Sequence, residues 1–504
     1  MEDIFLYSSV SVNFLIFVFW FLTRSRRKNI PPSPPLALPF LGHLHLIKQP
    51  LHRSLWKLSQ KYGPIISLKF GSRLVVVVSW SAAVGECFTT NDIVLANRPK
   101  LIMGKHLGYN YSSVATAAYG DHWRNLRRIS ALEIFSSNRL NTFLDTRGDE
   151  IKILLNKLHR ASSVDHGQFV KADLTSMFTE LTYNIIVRMV AGKRYYGEDN
   201  AVDDEAKKFR EIIGEVLKYA APGNPSDFLP VLKWLDYQGY IRRVKRLGRE
   251  TDTILQGLVH EQRSHGMEGR DNMIKHLLSL QSSQPEYYTD EIIKGLMMTL
   301  VLAGTDTTSV TLQWAMSNLL NHPGVLEKAK EEMDSQVGPD RLMHESDLSR
   351  LPYLQNIISE TFRLYPAAPL LLPHVPSGNC TVGGYNVPAD TIVLINAWAI
   401  HRDPELWNDP TSFRPDRFGG GKIEPHKLLP FGTGRRACPG AGLAQRVLGW
   451  TLGSLIQCFE WKRVSDEKID MTEGEGLTMP RAQPLEVRFK PRHFTGKILE
   501  LIQL

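Results

Sequence analysis

The chain opens on an uncharged apolar block, Ile4 to Leu22, closed at once by Arg24, Arg26, Arg27 and Lys28. A helix of about 20 apolar residues spans the roughly 30 Å hydrocarbon core of a bilayer, so the pattern predicts a transmembrane anchor over residues 1–23. Glu2 and Asp3 precede the block and the basic cluster follows it, which by the positive-inside rule leaves the bulk of the chain facing the cytosol. A cleaved signal peptide would carry its positive charge before the apolar core. Next comes Ile30-Pro31-Pro32-Ser33-Pro34-Pro35, ending at Pro39, and fixed proline φ angles predict a stiff hinge over 24–40 that neither continues the helix nor enters a sheet.

Beyond the hinge, two apolar runs, Pro64–Phe70 and Leu74–Val78, flank Gly71-Ser72-Arg73 and predict a β-hairpin. From Leu140 to Gln281 the apolar spacing turns to three and four, as in Phe228–Gln256 and Asn272–Ser279, which predicts helices. The longest begins at Thr289, an N-cap followed by Asp290 and Glu291, and stops before Pro323. Apolar on most sides, it is expected to cross the centre of a large domain. Short extended pieces follow between Val375 and Val393, then a helix from about Gly440 to Phe459. No repeat and no second linker appears, so residues 41–504 read as one domain, mainly α with small β-sheets.

Composition narrows the class. With 43% hydrophobic and 22% charged residues over 504 positions, the chain must bury a core and is neither disordered nor fibrous. Cys87, Cys380, Cys438 and Cys458 are too few and too scattered for a disulfide framework or a zinc cluster. The net charge of +8 comes with no run of five like charges, which argues against nucleic acid and fits an anionic membrane face or an acidic partner.

The candidate chemistry sits in Phe431-Gly432-Thr433-Gly434-Arg435-Arg436-Ala437-Cys438-Pro439-Gly440. Its glycines allow tight turns, and Cys438 stands just before an apolar helix. Helix-end amides, Arg435 and Arg436 are expected to lower its thiol pKa. Such a sulfur suits metal ligation. A lone thiolate excludes zinc and iron–sulfur sites but suffices for haem iron, and a packed cysteine beside a glycine turn remains the alternative. The formal G-x-G-x-x-A from Gly432 to Ala437 follows no parallel strand, so it does not read as a dinucleotide site.

Phe431–Gly440 resembles the haem-binding signature F-x-x-G-x-R-x-C-x-G of the cytochrome P-450 superfamily. Glu360-Thr361-Phe362-Arg363 is similar to its E-x-x-R motif, Phe413–Phe418 to its proline-aromatic motif, and Trp123 with Arg127 to its W-x-x-x-R. Ala303-Gly304-Thr305-Asp306-Thr307-Thr308 is similar to its oxygen-activation motif. The resemblance implies the cytochrome P-450 fold and haem b on Cys438, whose thiolate pushes electron density toward O–O cleavage. It implies propionate donors at Trp123, Arg127, Arg436 and His374, and a structural ion-pair network of Glu360, Arg363 and Arg417. Thr307 and Asp306 would be the catalytic pair, a relay hydroxyl and its link to bulk protons. The glycine and threonines are further expected to open the helix ladder locally.

The anchor and hinge resemble the microsomal branch, which implies a single-pass endoplasmic reticulum protein served by NADPH-cytochrome P-450 reductase, with NADPH acting only through that partner. Pro31–Pro35, Ala303–Thr308 and Phe431–Arg436 together resemble the plant A-type group, and Gly432–Gly440 with Gly442-Leu443-Ala444 resembles its family eighty-one branch, implying hydroxylation, with O2, of a small hydrophobic specialised metabolite. Triterpenoids such as cucurbitanes, isoflavonoids and lignans are the implied classes. Leu101–Tyr111, Leu300–Ala303, Ala368–Leu372 and Leu477–Met479 are the implied substrate walls; the aliphatic Ala368–Leu372 tilts toward a terpenoid, and Thr307 toward plain hydroxylation. Two rivals stay open: a haem-thiolate isomerase or dehydratase acting on hydroperoxides without a reductase, and a haem-binding protein without turnover.

Overall fold

The computed structural model describes residues 12–14, 29–163, 168–197, 204–219, 224–264, 266, 271–421 and 423–503. The expected anchor and its basic flank lie outside the described residues, apart from 12–14, which are helical. Among the described residues no helix is long and apolar enough to cross a membrane. The hinge is extended but docked. Ser67 N–H donates to Pro32 O (2.8 Å), Ser67 Oγ to Pro31 O (2.7 Å), and His43 Nε2 meets Pro34 O at 3.0 Å. The prolines thus lie along the first strand rather than standing clear of the sheet, because their carbonyls can still accept where their nitrogens cannot donate.

The elements that position the site are, in chain order, α1 (Leu51–Tyr62), β1 (Ile65–Phe70), β2 (Arg73–Val78), α2 (Ser81–Phe88), α3 (Asp121–Ile129), α4 (Leu144–Ser163), β3 (Val170–Asp173), α5 (Leu174–Ala191), α6 (Tyr240–Ser264), α7 (Asp290–Asn321), α8 (Pro352–Leu364), β4 (Cys380–Val382), β5 (Tyr385–Val387), β6 (Ile392–Ile395), α9 (Ala441–Cys458), β7 (Phe459–Lys462) and β8 (Glu486–Pro491). The sheets are small: β1-β2-β6, β3-β8-β7 and β4-β5. The hairpin of β1 and β2 turns at Gly71, whose φ of +54° lies in the left-handed region, and β6 joins β2 in parallel with Val75 opposite Ile392. This sheet is buried on both faces. Val76, Val78 and Val393 pack with Val84 and Cys87 of α2, while Val75, Val77 and Ile392 pack with Leu55 of α1, which is why Val75–Val78 reads as an unbroken apolar run.

The main core surrounds α7. Thr289 caps it, accepting from Ile292 N–H, and 32 residues follow, about 48 Å of helix. From Thr308 to Leu320 every residue is buried. Two sequence expectations need correction. Residues 228–256 do not form one helix: a short turn of helix at Pro230–Trp234 gives way to α6 across Asp236 and Gln238, both at positive φ. Nor does α7 open at Ala303–Thr308, where it stays continuously α-helical. Thr305 and Thr307 return their hydroxyls to Val301 O and Ala303 O (2.8 and 2.7 Å) without displacing the ladder. Gly304 serves packing instead, since a Cβ there would stand 2.6 Å from Ile186 Cδ1 on α5.

Candidate active site

The loop before α9 is folded by its glycines. Gly432 and Gly434 have φ of +65° and +71°, and a Cβ on Gly434 would meet Asp92 Oδ1 at 2.5 Å, so only glycine fits there. Cys438 N–H donates to Phe431 O (2.8 Å), bringing the sulfur back over the loop. Cys438 is exposed, and its sulfur accepts from the N–H groups of Gly440 and Ala441 at the start of α9. The expected depression of its pKa is not what the structure shows. Although Cys438 keeps an exposed surface, the loop packed around its sulfur pushes the thiol up, while the two amides and Arg127 pull it down. Arg435 is turned aside into a pair with Asp92 (3.1 Å), so the cation beside the sulfur is Arg127 of α3 rather than its own neighbour.

Around Arg127 stands a cluster of donors. Arg127 Nη1 donates to Ala437 O (2.7 Å), and the Arg436 guanidinium lies 4.2 Å over the Trp123 ring. Arg436 also donates to Ala96 O (2.6 Å), Val114 O (3.2 Å) and Ala117 O (2.6 Å). The Trp123 indole N–H is taken by Val114 O (3.0 Å). His374 is buried, with Nδ1 2.8 Å from Leu95 O, and burial together with Arg98 holds it neutral, well below the ordinary histidine range. Arg98 was not found by sequence reading. It donates to Leu372 O and Pro373 O (3.0 and 2.8 Å), its Nε is buried with no partner among the described residues, and burial and then Arg436 press its pKa down.

Three arginines and a histidine thus share one region, and no carboxylate acts on the charges of Arg98, Arg127, Arg436 or His374. Packing like charges without a counterion is costly, so this region is built to receive anions. Beside an accessible single thiol, the donor set fits haem b: Cys438 for the iron, and Arg98, Arg127 and Arg436 for its two carboxylates. Among the described residues no group of three or more His, Cys, Asp or Glu could hold a metal ion.

Behind the loop, Glu360 and Arg363 lie three apart on α8, both fully buried. Arg363 Nε and Nη2 fork onto the Glu360 carboxylate (2.7 and 2.8 Å), Arg417 Nε adds a third donor (3.1 Å), and Arg414 N–H a fourth (2.8 Å). His401 ties this network to the thiol loop. Its Nδ1–H donates to Arg363 O (3.1 Å) and its Nε2 accepts from Leu429 N–H (2.8 Å), an arrangement that requires the neutral ring. Burial, then Arg402 and Arg363, lower its pKa to about 3 from 6.5. The native chain therefore refuses a proton that the unfolded chain accepts. The contribution of the neutral ring is complete above pH 6.5 and is lost as pH falls toward 3, at about 1.4 kcal/mol per pH unit. Denaturant midpoints between pH 7 and pH 5 are expected to fall less steeply in His401→Gln than in the parent; equal slopes would refute the linkage.

On α7, Ala303 is exposed although Val301 and Thr305 beside it are buried. One turn on from Ala303, Thr307 donates to the Ala303 carbonyl. Asp306 Oδ2 accepts from Thr478 Oγ1 (2.6 Å), and burial raises its carboxyl pKa while Thr478 opposes the rise. Of the implied walls, Leu370 and Met479 are core residues, whereas Leu371 approaches Gly432 and Leu372 is exposed.

The comparisons agree with this architecture. The family model described as Cytochrome P450 matches residues 31–487. A Catharanthus roseus protein named Cytochrome P450 81Q32 is 59% identical over 475 residues, 94% of each chain. An isoflavone 3'-hydroxylase of Medicago truncatula is 53% identical, covering 97% of this chain and 98% of its own. A solved zebrafish cytochrome P450 with progesterone superposes with a TM-score of 0.75 at 28% identity, covering 88% of this chain and all of that one. With a thiol loop, an arginine cluster and a buried Glu–Arg network on one mainly helical frame, the chain belongs to the cytochrome P450 family, as a haem-thiolate monooxygenase similar to the plant 81 group.

Proposed function

We propose that the chain is a membrane-anchored monooxygenase that hydroxylates a hydrophobic plant specialised metabolite, with electrons from NADPH-cytochrome P-450 reductase. The observation that carries this reading is the pair Asp306–Thr307 on α7 beside exposed Ala303. An enzyme that only rearranged hydroperoxides would have no use for a proton relay. Bound haem supplies the activation of O2. The protein residues do the rest. Cys438 would hold the iron, Arg98, Arg127 and Arg436 would neutralise the propionates, Asp306 would take protons from solvent, and Thr307 would turn its hydroxyl from Ala303 O to hand them on.

The substrate proposed is a triterpenoid of cucurbitane type, on the aliphatic side chains Leu371 and Leu372. An isoflavonoid is the second reading, supported by the isoflavone 3'-hydroxylase relative. Membrane attachment is supported beyond the Ile4–Leu22 block. Phe40 and Trp234 are 79% and 84% exposed, and the segments that carry them dock on the β1–β2 turn, where Gly71 N–H donates to Leu41 O and Ser72 N–H to Phe228 O (both 3.1 Å). Exposed aromatic residues grouped in this way suit a bilayer surface.

One experiment tests the set. Microsomes from cells expressing the full chain with the reductase are given triterpenoids, isoflavonoids and lignans. Hydroxylated product is expected only with NADPH and only in the membrane pellet, and Thr307→Ala is expected to consume NADPH with at least about tenfold less product. Hydroperoxide consumption without NADPH would replace this reading with the isomerase, and full coupling in Thr307→Ala would remove Thr307 from the relay.

A further inference from the structure

The partner of Asp306 comes from far along the chain. Thr478 lies near the tip of a hairpin, residues 472–482, closed by Gly474 N–H to Pro480 O (2.8 Å) and Ala482 N–H to Thr472 O (2.9 Å). This hairpin is held to α7 at two other heights, by Trp314 Nε1–H to Met479 O (2.8 Å) and Arg481 Nη1–H to Ser317 Oγ (2.9 Å). Its outer side is pinned to α1 through Glu473, which accepts from Arg53 (2.7 and 2.9 Å) and meets His52 Nε2 at 2.9 Å. The hairpin is therefore secured without the Thr478 hydroxyl. That hydroxyl makes its hydrogen bond to one group, the carboxylate of Asp306.

The chemical identity of this partner matters. A lysine or arginine against Asp306 would lock the carboxylate ionised, which would end its use as a proton carrier. A hydroxyl donates to the ionised carboxylate and accepts from the protonated one, so it keeps hold of the side chain in both states. A carboxylate on a helix otherwise samples more than one χ1 well. Among the described residues no charged side chain acts on Asp306; burial and Thr478 are the two influences on its titration.

We propose that Thr478 is the positioning residue of the proton relay: it fixes the direction of the Asp306 carboxyl through proton gain and loss, so the hairpin 472–482 sets the aim of the acid on α7. The proposal rests on the reading of Asp306 as the relay acid, and two readouts keep the two claims apart. The first is the crystal structure of the haem-loaded protein in two variants. Thr478→Val keeps the shape and lacks the hydroxyl, and is expected to show the Asp306 carboxyl in another rotamer well; Thr478→Ser is expected to keep it. An unmoved carboxyl in Thr478→Val, or a moved one in both variants, overturns the proposal.

The second readout is product formed per NADPH, measured with the compound of the microsomal panel that gives most product. The expected result is a loss in Thr478→Val as large as in Asp306→Asn, at least about tenfold, with Thr478→Ser near the parent and the double variant Thr478→Val with Asp306→Asn no worse than Asp306→Asn alone. Additive losses would overturn the proposal, because the two residues would then act separately. Full coupling in Asp306→Asn would instead overturn the relay reading, and the rotamer result would still decide whether Thr478 holds the carboxyl.

Discussion

Cys438→Ala is expected to abolish the red-shifted Soret band that reduced protein shows with carbon monoxide, and all NADPH-dependent product with it. The expectation follows from the loop. Cys438 is exposed, with its sulfur placed by the Phe431 hydrogen bond and by the amides of Gly440 and Ala441, and the other three cysteines lie elsewhere in the fold: Cys87 and Cys458 buried in apolar clusters and Cys380 on β4. No second thiol can take its place. The thiolate of Cys438 would hold the haem iron, and alanine offers no sulfur to ligate it. The haem-free variant should unfold within about 1 kcal/mol of the parent, since Cys438 keeps an exposed surface and alanine removes a single sulfur atom. A retained band would refute the axial assignment, and a collapsed haem-free variant would show that the loop depends on the thiol.

The second large effect is expected in Glu360→Gln. Arg363 is fully buried, and besides the carboxylate it donates to His401 O and Pro410 O (both 2.7 Å) and Ser412 O (3.1 Å). Those carbonyls hold the guanidinium in place but do not neutralise it. Glutamine keeps the volume and removes the charge, leaving an uncompensated buried cation, a change that costs about 3–5 kcal/mol. Arg363→Lys should fare no better, because one ammonium cannot reproduce the fork onto Glu360. Arg417→Ala should lose less, about 1–2 kcal/mol, since the inner pair survives it. Denaturant midpoints of the three variants, with and without haem, check the order. Glu360→Gln within 1 kcal/mol of the parent would mean that the network is dispensable for folding.

What could be read from the sequence was what neighbouring residues decide among themselves. The hairpin turn at Gly71, the cap at Thr289, the stop before Pro323 and the glycine loop at Cys438 are local, and each stands where the pattern puts it. Helical spacing alone would make Glu360 and Arg363 an ordinary surface pair; that they form a structural network with Arg417 came only through the family resemblance. Distant partners were not legible. Arg98 stands alone before Pro99, with nothing nearby to link it to Arg436; Asp92, which draws Arg435 away from the thiol, is 343 residues distant. Gly304 was misread for the same reason: a glycine in mid-helix suggests a weak ladder, while its cause, Ile186, lies on another helix. The thiol pKa reversed because amides and cations can be counted in a sequence and desolvation cannot.

The docked prolines set a length. With the proposed anchor covering residues 1–23 and the body gripping the chain at Pro31 and Pro32 through Ser67, seven residues, 24–30, would join the two. Fully stretched they would reach no more than about 25 Å, less than the thickness of the bilayer itself. In the proposed membrane-anchored state the catalytic body would therefore stay within one bilayer's thickness of the lipid surface, and a greasy substrate would have only that distance to cross between membrane and enzyme. The proposed reductase partner would then have to meet the body within that thin layer rather than in bulk solution.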